Sequence, residues 1–300
     1  MSPVPDSPPS CRRRGITPGA CLALGIAAAA AAAPGAAAMD AEPGPGGPRW
    51  FPATALVSGP AAGEREPRFE ARIVAADLGA VDRVLGIASF GGSFGVLRWS
   101  GRTATWQVDL AAGISSVFDL EADSRDLWNT DYLVGVPLSV RWGAVGLRAR
   151  LYHRSSHLGD EFLVRPQVIT VGPRRELSFE AIELLATWRL GNWRFHGGGS
   201  RTIGRAIRIG QNMAQLGAEF EAPARGGTGA RLFGALDASA WSETGWDPEI
   251  ELRVGLTLAS PWSRRGRLLL ALEAHDGPFP FGQLYGLDGR WIGVGISLIE

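Results

Sequence analysis

The chain has 300 residues, 45% of them hydrophobic, which is enough apolar content for a folded domain and excludes a wholly disordered protein. Its 30 basic and 30 acidic residues cancel, so the chain lacks the basic field that nucleic-acid-binding proteins use. Both cysteines, Cys11 and Cys21, lie near the N-terminus, and the rest of the chain therefore has no disulfide or thiolate chemistry.

Residues 1–38 predict a secretory signal peptide. A basic start is followed by an apolar stretch at 19–33 and by three alanines at 36–38, which supply a small-residue cleavage site. Residues 39–67 are predicted to form a periplasmic linker, rich in proline and glycine, that ends in a short extended segment. Residues 68–300 form the predicted main domain.

From residue 68 onward, apolar and polar residues alternate with the period of two that is typical of β-strands. The run at 250–258, Ile-Glu-Leu-Arg-Val-Gly-Leu-Thr-Leu, is the clearest example. The alternation predicts twelve strands, at 68–75, 84–98, 103–118, 130–142, 145–156, 177–190, 193–203, 211–221, 229–241, 249–259, 266–275 and 290–299. Most of them are longer than soluble strands and match the roughly nine to eleven residues with which a strand crosses a membrane.

The predicted connections alternate between short turns, such as 100–102, and longer loops, such as 157–176. Short turns on one side, long loops on the other and an even number of strands are typical of outer-membrane barrels. The sequence therefore predicts an all-β fold, a twelve-stranded antiparallel transmembrane β-barrel in the outer membrane of a Gram-negative-type bacterium, with periplasmic termini. We expect it to contact membrane lipid and the barrel-assembly machinery, and its oligomeric state stays open. The alternative is a secreted β-sandwich with tryptophans in its core.

The inward faces of the predicted barrel carry both signs of charge, for example Arg148, Arg150 and Glu183. Such a lumen could be a narrow water-filled pore or a closed network of arginine–carboxylate pairs. Because open porins have about sixteen strands, twelve strands favour a mostly occluded lumen.

The strand that contains Leu147 carries the candidate chemistry. Its apolar face ends in His153 and Ser155, while arginines occupy the opposite face. On the next predicted strand, Glu180 points the same way and would lie near His153 if the two strands form a hairpin. A serine nucleophile needs a base, and the base needs an orienting group. The three residues therefore predict a catalytic site on the lipid-facing side.

Other interpretations of this region remain open. His153, Ser155 and Glu180 could mark only the level at which the barrel leaves the bilayer, with a structural loop beyond it. Asp160 and Glu161 in that loop could instead bind a divalent cation such as calcium through oxygen ligands. No other cofactor is predicted.

Three motifs resemble a bacterial family of unknown function, DUF1207. They are Glu66-Pro67-Arg68-Phe69, the stretch Ser89-Phe90-Gly91-Gly92-Ser93-Phe94-Gly95, and the eleven residues from Tyr152 to Phe162. The family is grouped with outer-membrane barrels, so the resemblance implies this fold and implies no activity.

A shorter motif, Tyr152-His153-Arg154-Ser155, resembles that of the outer-membrane phospholipase A family, twelve-stranded barrels with a His-x-Ser pair on the lipid-facing side. This resemblance implies hydrolysis of phospholipid or lipid A esters. Ser156 stands where that family has Asn, and the next predicted strand has no Asn to orient the histidine. The alternative is a non-catalytic barrel that acts as a narrow channel or as a structural or surface protein.

Overall fold

The computed structural model describes residues 47–79, 81–164, 177–203, 212–224, 229–260 and 266–299, so the predicted signal peptide lies outside the described residues. The strands are β1 (Arg49–Trp50), β2 (Glu70–Asp77), β3 (Asp82–Ser100), β4 (Thr105–Asp119), β5 (Leu127–Trp142), β6 (Val145–Leu158), β7 (Leu177–Leu190), β8 (Trp193–Ile203), β9 (Asn212–Glu221), β10 (Arg231–Trp241), β11 (Pro248–Ala259), β12 (Arg267–Pro278) and β13 (Asp288–Ile299). One short helix, α1 (Asp160–Val164), follows β6, and 3-10 turns occupy Ser242–Thr244 and Gly282–Leu284. None of these described helices is long and apolar enough to cross a membrane.

Strands β2 to β13 close into a barrel. Each pairs antiparallel with its neighbours along the chain, and β2 also pairs with β13, which confirms the predicted twelve-stranded antiparallel barrel. Side chains alternate between an outer and an inner face. On β7, for example, the outward Leu184 is 63% exposed, while the inward residue before it, Glu183, is 4% exposed. The outer surface is therefore apolar, as a lipid-facing surface requires.

Two strands extend beyond the barrel wall at the end where the termini lie, here called the proximal end. Glu70, the first residue of β2, pairs with Ser89, so the later part of β3 has no partner on β2. β1 pairs with Leu97 and Arg98 on this free edge. The pairing leads the chain from outside the wall to the mouth of the lumen.

The chain then passes through the lumen, and residues 54–68 are here called the luminal segment. Of the expected linker, 39–67, the structure describes 47–67, and the luminal segment comprises 54–67 of that part together with Arg68. Leu56 is buried, and its carbonyl accepts a hydrogen bond from Arg141 on β5. On the other side, Arg194 of β8 donates to the carbonyl of Gly59 at 2.7 Å. Inward side chains from several strands thus satisfy the backbone of a segment that lacks a sheet of its own.

Two carboxylates of the luminal segment pair with inward arginines of the wall. Glu64 Oε1 lies 2.8 Å from Arg253 Nη2, and Glu64 Oε2 lies 2.5 Å from Arg72 Nη2. Glu66 Oε1 lies 2.5 Å from Arg148 Nη2. Burial alone would raise the pKa of Glu66, but the arginines around it, Arg148 above all, lower this pKa to about 2.

Glycines in the wall make room for the luminal segment and the residues before it. A Cβ atom added at Gly91 or at Gly113 would lie 3.1 Å or 2.8 Å, respectively, from Cβ of Pro67, and one at Gly95 would overlap Pro52. Side chains at these strand positions would collide with the segment. The glycine-rich stretch 89–95 and the Glu-Pro-Arg-Phe motif are therefore two sides of one contact.

An apolar cluster fills the opposite, distal end of the barrel. The loop between β12 and β13 folds inward, and it buries Phe279, Phe281 and Leu284 almost completely. They pack on inward residues of the wall such as Leu85 and Trp291. Below this cluster, one cavity beside Glu64 and Tyr152 has a volume of about 20 Å³, and a second, beside Arg154 and Phe279, has a volume of about 50 Å³. In the described part of the chain, the luminal segment and the apolar cluster fill most of the lumen.

We expect replacement of a luminal carboxylate to destabilise the barrel more than replacement of an exposed one. Glu64→Gln removes one of the buried negative charges that Arg72 and Arg253 share, although both arginines still contact Glu70, and should cost about 3–5 kcal/mol. Asp276→Asn removes an exposed pair with Arg290, whose side chain is 70% exposed, and should cost about 0–1 kcal/mol. Urea unfolding in lipid vesicles, followed by tryptophan fluorescence, measures both. Equal losses would contradict a luminal role for Glu64.

Candidate functional site

Strand β6 divides its residues between the lumen and the outer surface. Ser156 faces inward, where its hydroxyl donates to Asn129 Oδ1 at 3.0 Å, and Arg154 faces inward to Asp131 Oδ2 at 2.5 Å. His153 and Ser155 have the opposite parity and share the outer face with Leu151, which is 52% exposed. The structure therefore places the predicted histidine and serine on the lipid-facing side.

Strand β7 brings the third predicted residue beside them. In the antiparallel pairing of β6 and β7, His153 stands opposite Glu180 and Ser155 stands opposite Ser178. His153 Nδ1 lies 3.1 Å from Glu180 Oε1, a hydrogen-bond distance. Both side chains remain partly exposed, at 40% and 54%. The pairing of β6 with β7 that this contact requires is present.

The hydrogen bond to Glu180 fixes how the imidazole of His153 can act. When a carboxylate accepts the Nδ1 proton, the neutral ring carries its lone pair on Nε2. Nε2 is then the atom available to take a proton from a hydroxyl. Within the described ranges, no hydrogen bond joins Ser155 Oγ to His153. A change of side-chain rotamer is needed before these two groups meet.

Apolar and aromatic groups surround the site. On β5, Val134 stands opposite His153 and Tyr132 opposite Ser155. The Tyr132 ring makes an edge-on contact with His157 at 5.8 Å between ring centroids. The site therefore lies where the aliphatic belt of the barrel gives way to polar and aromatic side chains, a position typical of the membrane interface.

The two candidate cation ligands lie just beyond the strand. Asp160 and Glu161 open α1, which the buried side chain of Phe162 holds against Trp128 in the distal cluster. Among the residues that the structure describes, no group of three or more histidine, cysteine or carboxylate side chains could hold a metal ion. Gly159 fits tightly here, since an added Cβ would overlap the carbonyl oxygen of Leu127.

Several residues that organise the lumen were not predicted. Glu64 and Glu66 were assigned to a linker, yet they continue the parity of Glu70 and Arg72, the inward residues of β2. This run of charges at every second position was the sequence signal that could have placed Glu64 and Glu66 in the lumen. It was hidden because the backbone between them is not paired as a strand.

A closed barrel with an apolar outer belt and a charged, filled lumen defines the class of protein: the chain is an outer-membrane β-barrel. Comparison with family models identifies the family. The model of DUF1207, described as a protein of unknown function, matches residues 50–298, and the chain belongs to this family.

Solved structures with a similar fold are also outer-membrane barrels. Outer-membrane phospholipase A from Escherichia coli aligns over 78% of this chain and 92% of its own, with 15% identity and a TM-score of 0.50. The corresponding phospholipase from Salmonella typhi, a dimer with bound calcium, aligns over 82% and 93%, with 15% identity and a TM-score of 0.48. The β domain of the Bordetella autotransporter BrkA aligns over 77% and 98%, with 15% identity and a TM-score of 0.40. Among curated proteins, none matches the chain.

The parity of β6 predicts opposite reactivity for two adjacent positions. With Cys11 and Cys21 replaced by alanine, we expect Ser155→Cys to react with a lipid-soluble maleimide in vesicles. Ser156→Cys should stay unmodified, because Ser156 is 4% exposed and faces the filled lumen. Mass spectrometry measures the labelled fraction. Equal labelling of both cysteines would contradict the outward position of Ser155.

Proposed function

We propose that this protein is a membrane-lipid ester hydrolase of the outer membrane, with Ser155 as nucleophile, His153 as general base and Glu180 as the group that orients the histidine. The observation that carries the proposal is the hydrogen bond of 3.1 Å between His153 Nδ1 and Glu180 Oε1 on the lipid-facing surface. Ser155 lies two residues further along the same face. A histidine held by a carboxylate next to a serine is the arrangement that serine hydrolases use.

The chemistry follows from these three groups. Ser155 Oγ attacks the ester carbonyl carbon of a lipid while His153 Nε2 takes the hydroxyl proton. Glu180 stabilises the imidazolium that forms, and His153 then gives the proton to the departing alcohol. Water, activated by the same histidine, attacks the acyl-serine and releases the fatty acid, so that Ser155 regains its proton.

The distance between serine and histidine is within reach of side-chain rotation. Residues two apart on a strand have Cα atoms about 7 Å apart and share one face. Hydrogen bonds between catalytic groups are often long in a free enzyme and shorten when substrate binds. The membrane itself would present the ester, so no deep pocket is required.

The similarity to outer-membrane phospholipase A supports the fold alone, and the proposed chemistry is supported by His153, Ser155 and Glu180. At 15% identity, the likeness concerns the path of the backbone alone. The substrate class in that enzyme's name, a phospholipid, is therefore proposed here, together with lipid A, because both carry acyl esters at the level of the membrane. A requirement for calcium is part of the proposal to be tested.

A second candidate function is a non-catalytic barrel that serves as a structural or surface protein. The filled lumen favours it over a narrow channel, since the luminal segment and the distal cluster together occupy the described interior. In this case Glu180 would only neutralise His153 at the membrane interface.

The test is hydrolysis by the purified barrel in mixed micelles of detergent with phospholipid or with lipid A, in calcium and in chelator. Ser155→Ala should lower released fatty acid at least about a thousandfold. Glu180→Gln should lower it about a hundredfold, since the histidine loses its charged partner. His157→Gln, on the same face but without a carboxylate, is the matched control and should retain activity.

Two results would decide against the hydrolase. One is the same rate in the wild-type protein and in Ser155→Ala. The other is no fatty acid from the wild-type protein with either lipid and in either ionic condition, although its electrophoretic mobility without heating reports a folded barrel. Either result would favour the non-catalytic barrel.

A further inference from the structure

An arginine that makes no ion pair with any described residue lies on the lipid-facing surface near the candidate site. Arg201 is exposed on β8, where it stands opposite Ile182 of β7. In the described strands of the barrel, the only other outward arginine is Arg290, whose Nε donates to Asp276 Oδ1 at 2.9 Å. Arg201 makes no salt bridge and no side-chain hydrogen bond within the described ranges.

A guanidinium on this surface needs an anion. Arginine stays charged in proteins, and a charge that faces lipid costs more free energy the closer it lies to the bilayer centre. Its five N–H donors form a planar fork that matches the oxygen atoms of phosphate. Phosphate is also the anion that membrane lipids carry at the top of their acyl chains. A lipid phosphate is therefore the partner that the chemistry of Arg201 fits.

The surface beside Arg201 contains a shallow trough that an acyl chain could occupy. On the same face of β8, the two outward positions that precede it are Gly199 and Gly197, which have no side chains. Leu184 stands opposite Gly199 and Leu216 opposite Gly197, and both leucines project outward. They form the walls of a trough that runs roughly 13 Å along the strand toward the proximal end.

We propose that Arg201 and this trough form a binding site for a glycerophospholipid, with the phosphate on the guanidinium and an acyl chain over Gly199 and Gly197. One guanidinium and a trough one strand wide suit a lipid with a single phosphate above its chains. Lipid A, with two phosphates and more chains, would leave charge and chains without partners here. Arg201 lies two strands from His153 and diagonally across from Glu180, which stands opposite Ile203 on β8, and occupancy of the site does not depend on hydrolysis.

Native mass spectrometry of the full chain in detergent, titrated with phosphatidylglycerol, tests the site. All proteins carry Ser155→Ala, so that no lipid is consumed whether or not the barrel is a hydrolase. Arg201→Gln should weaken phosphatidylglycerol binding about tenfold, the factor expected for one charge-assisted hydrogen bond. It should leave binding of a diacylglycerol with the same chains unchanged. Arg290→Gln is the matched control and should bind as the parent does.

The trough is tested by filling it. A Cβ atom at Gly197 would meet only the carbonyl oxygen of Gln215, at 3.7 Å, so the site tolerates a side chain. Gly197→Leu should weaken both phosphatidylglycerol and diacylglycerol, because it displaces the acyl chain. Arg201→Lys, which keeps the charge but lacks the fork, should lose part of the phosphatidylglycerol affinity, and it serves if Arg201→Gln does not fold.

Three outcomes would overturn the proposal. Equal losses of phosphatidylglycerol affinity in Arg201→Gln and Arg290→Gln would mean that the lipid is attracted only by the net charge of the protein. Equal losses of phosphatidylglycerol and diacylglycerol in Arg201→Gln would mean that the phosphate is not recognised. A titration with lipid A that depends on Arg201 more strongly than the titration with phosphatidylglycerol would assign the site to the other lipid.

Discussion

The need to neutralise buried charge determines how this barrel is filled. Arginines such as Arg72 and Arg253 point into a lumen from which water is largely excluded, and an unpaired charge there is strongly unfavourable. The wall supplies some carboxylates itself, for example Glu183 beside Arg148. The luminal segment supplies Glu64 and Glu66. The segment is therefore as much a part of the barrel as any strand, and its ion pairs specify how the chain is threaded.

The same filling restricts where the protein can act. With ion pairs in the middle and an apolar cluster at the distal end, the described interior retains cavities of only about 20 and 50 Å³. Both proposals made above therefore concern the outer surface. They rest on polar side chains of the lipid-facing side, which take no part in the ion pairs of the lumen.

Strand positions could be predicted from the sequence because each strand has one lipid-facing and one luminal side. β7 and β8 have the predicted bounds, since Gly191 and Asn192 form a tight turn between two alternating runs. β12 ends three residues later than predicted, at Pro278, because its last residues still pair with β13. The position of the luminal segment could not be predicted, because periodicity reports the two sides of a paired strand and carries no information on where an unpaired segment lies.

For the eleven residues from Tyr152 to Phe162, the sequence pattern predicted part of the site and not all of it. The inward residues among them stabilise the fold: Arg154 pairs with Asp131, and Phe162 packs in the distal cluster. Parity alone was enough to place His153 beside Glu180 once the hairpin formed, because the side-chain period of a strand is two. The direction of the Ser155 hydroxyl depends on rotamers that no pattern encodes. The outward pair of His153 and Ser155 makes no such contact with the lumen, and it is the part of the motif on which the proposed hydrolase depends.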